Sequence, residues 1–183
     1  MTLWIVMGVV ILLAIYAIVT YNKLILYTVQ TENAWSQIDV QLKRRHDLIP
    51  NLVETVKGIM KFEKDTLTQV VEARTKAVGA KDMESRIKAE GEISGLLGRL
   101  FAVWENYPDL KSNKNAMMLQ EELSTTENRI AYARGYYNDI TTNLKALVMQ
   151  FPSNLIAGIF NIKWKFPFFE LAEPEKKAPE VKF

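Results

Sequence analysis

The chain contains no cysteine and a single histidine, His46. Without cysteine there is no thiolate nucleophile, no disulfide staple and no thiolate metal site. Its absence leaves the compartment open, because a disulfide-free domain suits either side of a membrane. One histidine is too few for the imidazole pairs that usually hold transition metals. Charge of one sign is also missing: 23 Lys and Arg face 21 Asp and Glu. A net charge of +2 on 183 residues produces no global field that would draw the protein to nucleic acid. Basic and acidic residues interleave instead, as on solvated helix faces. Glycine and proline are scarce, at 8 and 6 residues. Gly91, Gly95 and Gly98 do not follow a strand, so no phosphate-cradling loop exists.

The most conspicuous feature present is an apolar run at the start. Leu3 to Val19 carries no charge and is mostly Ile, Leu, Val and Ala. Extended from Thr2 to Tyr21, about 20 residues at ~1.5 Å each match a hydrocarbon core of roughly 30 Å. The rival reading is a cleaved signal peptide, which would want a basic start and a small-residue cleavage site. The opening MTLW has no basic side chain, and Thr20-Tyr21-Asn22-Lys23 is a poor cleavage site, so a retained span is expected over residues 1–22. Its midpoint is Ile11 and Leu12, with Trp4 and Tyr21 at the two interfacial belts. Lys23, then Lys43, Arg44 and Arg45, follow the run, and retention of positive residues in the cytoplasm favours a short outside tail with the domain inside.

Beyond the span the dominant signal is helical periodicity. Trp35, Ile38, Leu42, Ile49, Leu52, Val56 and Ile59 fall three and four apart, with Arg45 filling the one gap. That spacing places them on one stripe of a helix. It continues through Leu67 and Val70, with Glu63 also on the seam, and Gly79 closes the element. Pro50 either kinks or splits this helix, and unbroken periodicity across it argues for a kink. A second helix is expected from a cap at Asp82 to about Tyr107. Its glycines either admit a close neighbour or mark a soft spot. Tyr107-Pro108-Asp109 reads as a turn. A third element repeats four, three without a slip through Leu119, Leu123, Thr126, Ile130, Ala133, Tyr137, Ile140, Leu144, Leu147 and Phe151, which is the packing seam of a left-handed bundle. Pro152 ends it. Phe160, Trp164, Phe166, Phe168 and Phe169 then crowd together with Lys163 and Lys165, before a stretch rich in proline and charge beyond Glu170 that reads as disordered.

These residues resemble the LemA family of bacterial membrane-anchored helical proteins. The match rests on Asn33-Ala34-Trp35-Ser36, on Asp39 to Arg45, and on Asp47 to Glu54, which includes Leu48-Ile49-Pro50. Tyr107-Pro108-Asp109-Leu110, Leu119 to Leu123, Thr126 to Ala131, Tyr137-Asn138-Asp139, Phe151-Pro152 and Pro179 to Phe183 extend it. Asn113 to Ala116 and Thr142 depart from the family's pattern without contradicting its fold. The resemblance implies an all-α protein: one N-terminal transmembrane helix continuing into an antiparallel up-and-down four-helix bundle, here residues 23–160, with residues 161–183 as a tail. The family supplies no catalytic residues to carry over, and a relative from magnetosome membranes points to organisation of membranes.

His46 and Asp47 beside Arg44 and Arg45 could serve acid–base chemistry, but one histidine without a nucleophile makes a poor set. A polar helix face paired with Glu121, Glu122 or Glu127 fits better. Arg45 and Glu63, as seam charges, suit fixing of register. Glu54, Asp139 and those glutamates lack the histidines of bundle carboxylate metal sites, so no metal and no cofactor is expected. The aromatic segment either docks on lipid or a partner or folds back to close one end of the bundle. The reading is a non-enzymatic scaffold in the cell membrane that binds lipid, copies of itself and other membrane proteins. The competing class is an adaptor of a membrane enzyme such as a quality-control protease.

Overall fold

A computed structural model describes residues 1–170, so the proline- and charge-rich end of the tail and the Pro179 to Phe183 match lie outside the described residues. Among the described residues the chain is all-helical, with six α-helices, one short 3₁₀ turn and no strand. They are α1 (Thr2–Val56), α2 (Lys64–Gly79), α3 (Met83–Trp104), α4 (Pro108–Ser112), α5 (Lys114–Met149) and α6 (Ser153–Ile159). The described chain divides into two compact units, Met1–Gln37 with Ala133–Phe168, and Ile38–Tyr132 with Phe169 and Glu170.

Helix α1 begins in the apolar run and continues through Pro50 without splitting. The expected unbroken helix to Val78 does not occur. The amides of Ile59 and Met60 both bond the Val56 carbonyl, a 3₁₀ turn follows at Lys61–Glu63, and the chain reverses into α2. The periodicity survives this turn because Met60, Leu67 and Val70 are buried on the far side of it.

In the second unit, Ile38, Leu42, Ile49, Leu52 and Val56 of α1 are wholly buried. They adjoin one continuous core with Leu67, Val70 and Ala73 of α2, Ile93, Leu97, Leu100 and Trp104 of α3, and Leu123 of α5, the contacts running from Ile49 onward. Burying a Leu- or Ile-sized side chain is worth about 1.5–3 kcal/mol, so this core supplies the driving force for the unit. Arg74 of α2 donates to the His46 carbonyl at 2.7 Å, which lays α2 beside α1. Asp82 caps α3, its carboxylate accepting from the Ser85 amide at 2.8 Å. The turn expected at Pro108 is the start of α4: proline sits at the first helical position, where its missing N–H costs nothing. Ile59 is only half-buried.

In the first unit, Leu24 and Ala34 of α1 and Tyr137 and Leu144 of α5 are buried. Thr28 and Thr31 return their hydroxyls to the carbonyls of Leu24 and Tyr27, four residues back, at 2.8 Å, so the helix accommodates them without an orphaned donor. Trp35, half-buried, meets Tyr137 edge-to-face with ring centroids 5.7 Å apart. Helix α5 ends at Met149, one turn before Pro152, and Phe151 lies exposed where the seam pattern places it inside. Helix α6 closes with a two-bond cap. The Ile162 amide bonds the Ala157 carbonyl and the Asn161 amide bonds the Gly158 carbonyl, with Asn161 at φ 53°. Asparagine tolerates that left-handed conformation, which the cap requires.

Candidate functional site

The second unit holds a buried polar cluster built from three helices. Arg45 lies in the one charged gap of the α1 stripe, so the stripe carries it inward, and its side chain is 0% exposed. Its Nη2 donates to a carboxylate oxygen of Glu90 and, at 3.1 Å, to the Glu90 carbonyl. Its Nη1 donates to Glu127 at 2.5 Å and to the Ser94 hydroxyl at 2.7 Å. The Ser94 hydroxyl donates in turn to the other oxygen of Glu127 at 2.8 Å. Glu90 and Ser94 come from α3, one turn apart, and Glu127 from α5. His46 Nε2 stands 3.0 Å from the second Glu90 oxygen. Neither of those two atoms has another hydrogen-bond partner.

Electrostatics explain why this arrangement holds. Burial pushes the Glu90 carboxyl up, but the hydrogen bond from His46 and the Arg45 guanidinium outweigh it and hold the group below its ordinary value of 4.5. At the margin of the cluster Arg44 pairs with Glu122, and Arg86 pairs with Asp39 at 3.1 Å. Burial raises the Asp39 carboxyl despite Arg86, helped by the nearby Glu90 charge. A buried pair of this kind contributes little net stability relative to apolar residues, while loss of one partner leaves a costly orphan. Chemically the cluster offers no reactive pair. The two terminal nitrogens of Arg45 meet four acceptors while its buried Nε–H has none, Ser94 is engaged, and His46 faces a carboxylate instead of a nucleophile. Among the described residues no group of three His, Asp or Glu is placed to hold a metal ion.

The remaining residues singled out by sequence fall into separate places. Glu63 sits in the 3₁₀ turn, half-buried, and accepts from the Tyr107 hydroxyl at 3.4 Å. Asp47, Glu54 and Glu121 are exposed, and Glu54 pairs with Lys57. Ile130 is buried and Ile140 half-buried. Trp4, Ile11 and Leu12 are exposed on the apolar N-terminal part of α1, whose 18-residue apolar window has none of its residues buried inside the protein. Tyr21 meets Phe160 with ring centroids 4.5 Å apart. Phe166 is buried, and Trp164 and Phe168 pack at 5.3 Å beneath Lys145, whose ammonium lies 5.4 Å and 5.2 Å from the two rings. The Tyr137 hydroxyl donates to the Pro167 carbonyl at 2.9 Å, and Phe169 is half-buried.

A family model described as the LemA family matches residues 34–183. The chain belongs to that family. It is 27% identical to Protein LemA of Metamycoplasma hominis, an alignment covering 85% of this chain and 71% of the relative. It is 26% identical to Magnetosome proteins MamQ 1 and MamQ 2 of Paramagnetospirillum magneticum, over 78% of this chain and 62% of each relative. The chain thus spans less than two thirds of either MamQ protein. These LemA and MamQ names carry no enzymatic activity, and the apolar N-terminal helix is in keeping with a membrane-associated, single-pass protein.

Sequence reasoning named Arg45, Ser94's helix and Glu127 but missed Glu90. A signal existed: Met83, Glu90, Leu97 and Trp104 recur every seven residues, so Glu90 is a charge on the inward face of α3. A lone acidic residue in such a row pairs with the lone basic residue of the row it faces.

Proposed function

We propose that this LemA-family chain is a non-enzymatic, membrane-anchored helical scaffold that assembles with copies of itself and holds membrane proteins or lipid in place. In this reading the span lies within residues 1–22 and the helical domain is cytoplasmic, the side favoured by Lys23, Lys43 and Arg44. The water-side part of α1 with α2, α3 and α5 makes an antiparallel up-and-down four-helix bundle. The observation that carries the proposal is the continuity of α1. One uninterrupted helix begins as an 18-residue apolar window with mean hydropathy 2.7 and none of it buried, and ends as the buried stripe of a packed core. Lipid suits the first part, which is long and apolar enough to cross a hydrocarbon core. The buried polar cluster, which joins three helices and holds no nucleophile beside His46, supports a structural role over turnover.

Self-assembly has to use surfaces other than the apolar face of α3, which is consumed internally: Leu96, Leu97, Leu100 and Trp104 are all buried in its own unit, with Phe101 and Val103 packed against them. Exposed Met117, Met118 and Tyr132 on α5 offer such a surface. The adaptor role is the second reading, favoured by the open groove of about 510 Å³ between α1 and α2, with an apolar floor and Lys57, Lys61 and Lys64 at its rim. Extraction of the full chain into polymer-bounded membrane discs, followed by mass measurement, tests the two. The scaffold reading expects multiples of the 21.0 kDa chain without another stoichiometric chain. A stoichiometric second protein favours the adaptor, and monomers alone at high concentration end the self-assembly claim.

A further inference from the structure

The aromatic segment after α5 divides into two parts with different environments. Trp164, Phe166 and Phe168 fold onto the helices of their own unit, held by Lys145, by Tyr137 and by Lys165, which pairs with Glu32 at 3.4 Å. Helix α6 and its flanks are different. Its small residues, Ser153 and Ala157, are the buried ones, at 5% and 2% exposure. Of its large residues Ile156 is half-buried, while the others point away: Leu155 is 55% exposed and Ile159 75%, with the flanking Phe151 at 78% and Phe160 at 53%. Leu155 and Ile159 are spaced four apart within the helix and therefore share one face, and exposed Phe151 precedes the helix. Small residues inward and large apolar residues outward invert the pattern of a helix that lies on a core in water.

The position of this face specifies what covers it. Phe160 contacts Tyr21 at 4.5 Å between ring centroids, and Tyr21 ends the apolar run of α1. The run fixes the depth of the bilayer, so the end of α6 sits at the level where the span leaves the hydrocarbon. Residues 151–162 carry no charge, and exposed Lys163 and Lys165 follow at once. An uncharged apolar ridge bordered by ammonium groups matches the acyl-to-phosphate boundary of a membrane surface.

We propose that α6 and Phe160 lie in the headgroup region of the same bilayer that α1 crosses, as a second membrane contact that orients the helical domain against the lipid. This rests on the reading of α1 as a transmembrane anchor. The contact converts a single-point tether into a two-point one, and so restricts swivelling of the domain about the span.

The absence of cysteine makes the test clean, because a single introduced cysteine carries the only label. The full chain, reconstituted in phosphatidylcholine–phosphatidylglycerol vesicles, receives a nitroxide at L155C, I159C, L12C or K88C. Collision with oxygen and with a water-soluble nickel chelate is then measured by electron paramagnetic resonance. The expected result is oxygen-dominated collision at Leu155 and Ile159, shallower than at Leu12, and nickel-dominated collision at Lys88. Free access of both reagents to Leu155 and Ile159 means water covers the face and overturns the proposal. Exclusion of both means protein covers it, as a second copy would, and also overturns it. Lipid-like behaviour at Leu12 in either case confines the failure to α6, whereas a water-like Leu12 overturns the anchor and this inference together.

Discussion

Replacing Arg45 with methionine removes the guanidinium from the centre of the cluster while keeping an apolar stem of similar reach. Glu90, whose side chain is 0% exposed, is then left with His46 alone, at 3.0 Å. Glu127 keeps Ser94 and, being 22% exposed, recovers some solvation. Breaking one side of a buried ion pair costs about 3–5 kcal/mol. The surviving partners place this case in the lower half, about 3–4 kcal/mol. For a chain of this size each kcal/mol lowers the melting temperature by roughly 2–4 °C, so R45M should melt about 6–16 °C below the natural protein. Circular dichroism of the full chain in detergent reads this directly. The triple variant R45M/E90M/E127M removes all three charges and should recover most of the loss, because an apolar replacement of a buried ionic group is often neutral or stabilising. A fall of under about 1 kcal/mol in R45M, or a triple variant no better than the single one, would refute the reasoning that the cluster is an obligate, desolvated pair.

Three further outcomes follow from other sites. Gly95 lies exposed within α3 with nothing within 4 Å of where a Cβ would stand, so G95A should gain up to ~1 kcal/mol of helix propensity, read as a higher melting temperature; no gain would mean the glycine serves a contact formed with another molecule. Burial pushes the Tyr137 phenol up from 10.0 to about 12, with the Thr141 hydroxyl acting against it. The unfolded chain therefore ionises first, so the stability due to this group is complete below pH 10 and lost between about pH 10 and 12. At ~1.36 kcal/mol per unit, Y137F should gain about 2–3 kcal/mol on the natural protein across that window in denaturant titrations, and a constant difference would exclude the linkage. Arginine at the centre of a span costs about 2.5–3.5 kcal/mol, so I11R/L12R should move the chain out of the membrane fraction, and retention there would count against the span.

How much of this was legible in the sequence depended on whether the signal was local. The apolar span, the Asp82 cap and the Gly79 stop are read from neighbouring residues, and each stands where the helices begin or end. The reversal after Val56 was invisible to periodicity because Ile59, Glu63 and Leu67 keep the three–four spacing through the turn. Gly58, the sole glycine between Gly8 and Gly79, was the one mark of it. Phe151 misled for the opposite reason: the repeat extends one step beyond the helix that carries it, so the residue fits the pattern without being held on the seam. Glu90 escaped because charge on α3 was read as solvated face, whereas its seven-residue relation to Leu97 fixes its direction.

That heptad relation also says why a charge is tolerated in the core. A strict seven-residue repeat is degenerate, since sliding one helix by seven residues, about 10.5 Å at ~1.5 Å per residue, presents an equivalent apolar row. Arg45 breaks the degeneracy. Displacing α5 by one heptad replaces Glu127 with Gln120 in one direction and with Arg134 in the other, giving either a neutral partner or a second cation. Displacing α3 replaces Glu90 with Met83 or Leu97, leaving the guanidinium buried against apolar groups. Each slip forfeits a pair whose disruption costs about 3–5 kcal/mol. The cluster therefore acts on register more than on stability, as single polar seam residues do. The triple variant separates the two effects: it should remain folded, yet cysteine pairs introduced along the α1 and α5 faces should form heptad-shifted disulfides that the natural sequence does not allow. One set of disulfides in both proteins would show that loop lengths, and not Arg45, set the register.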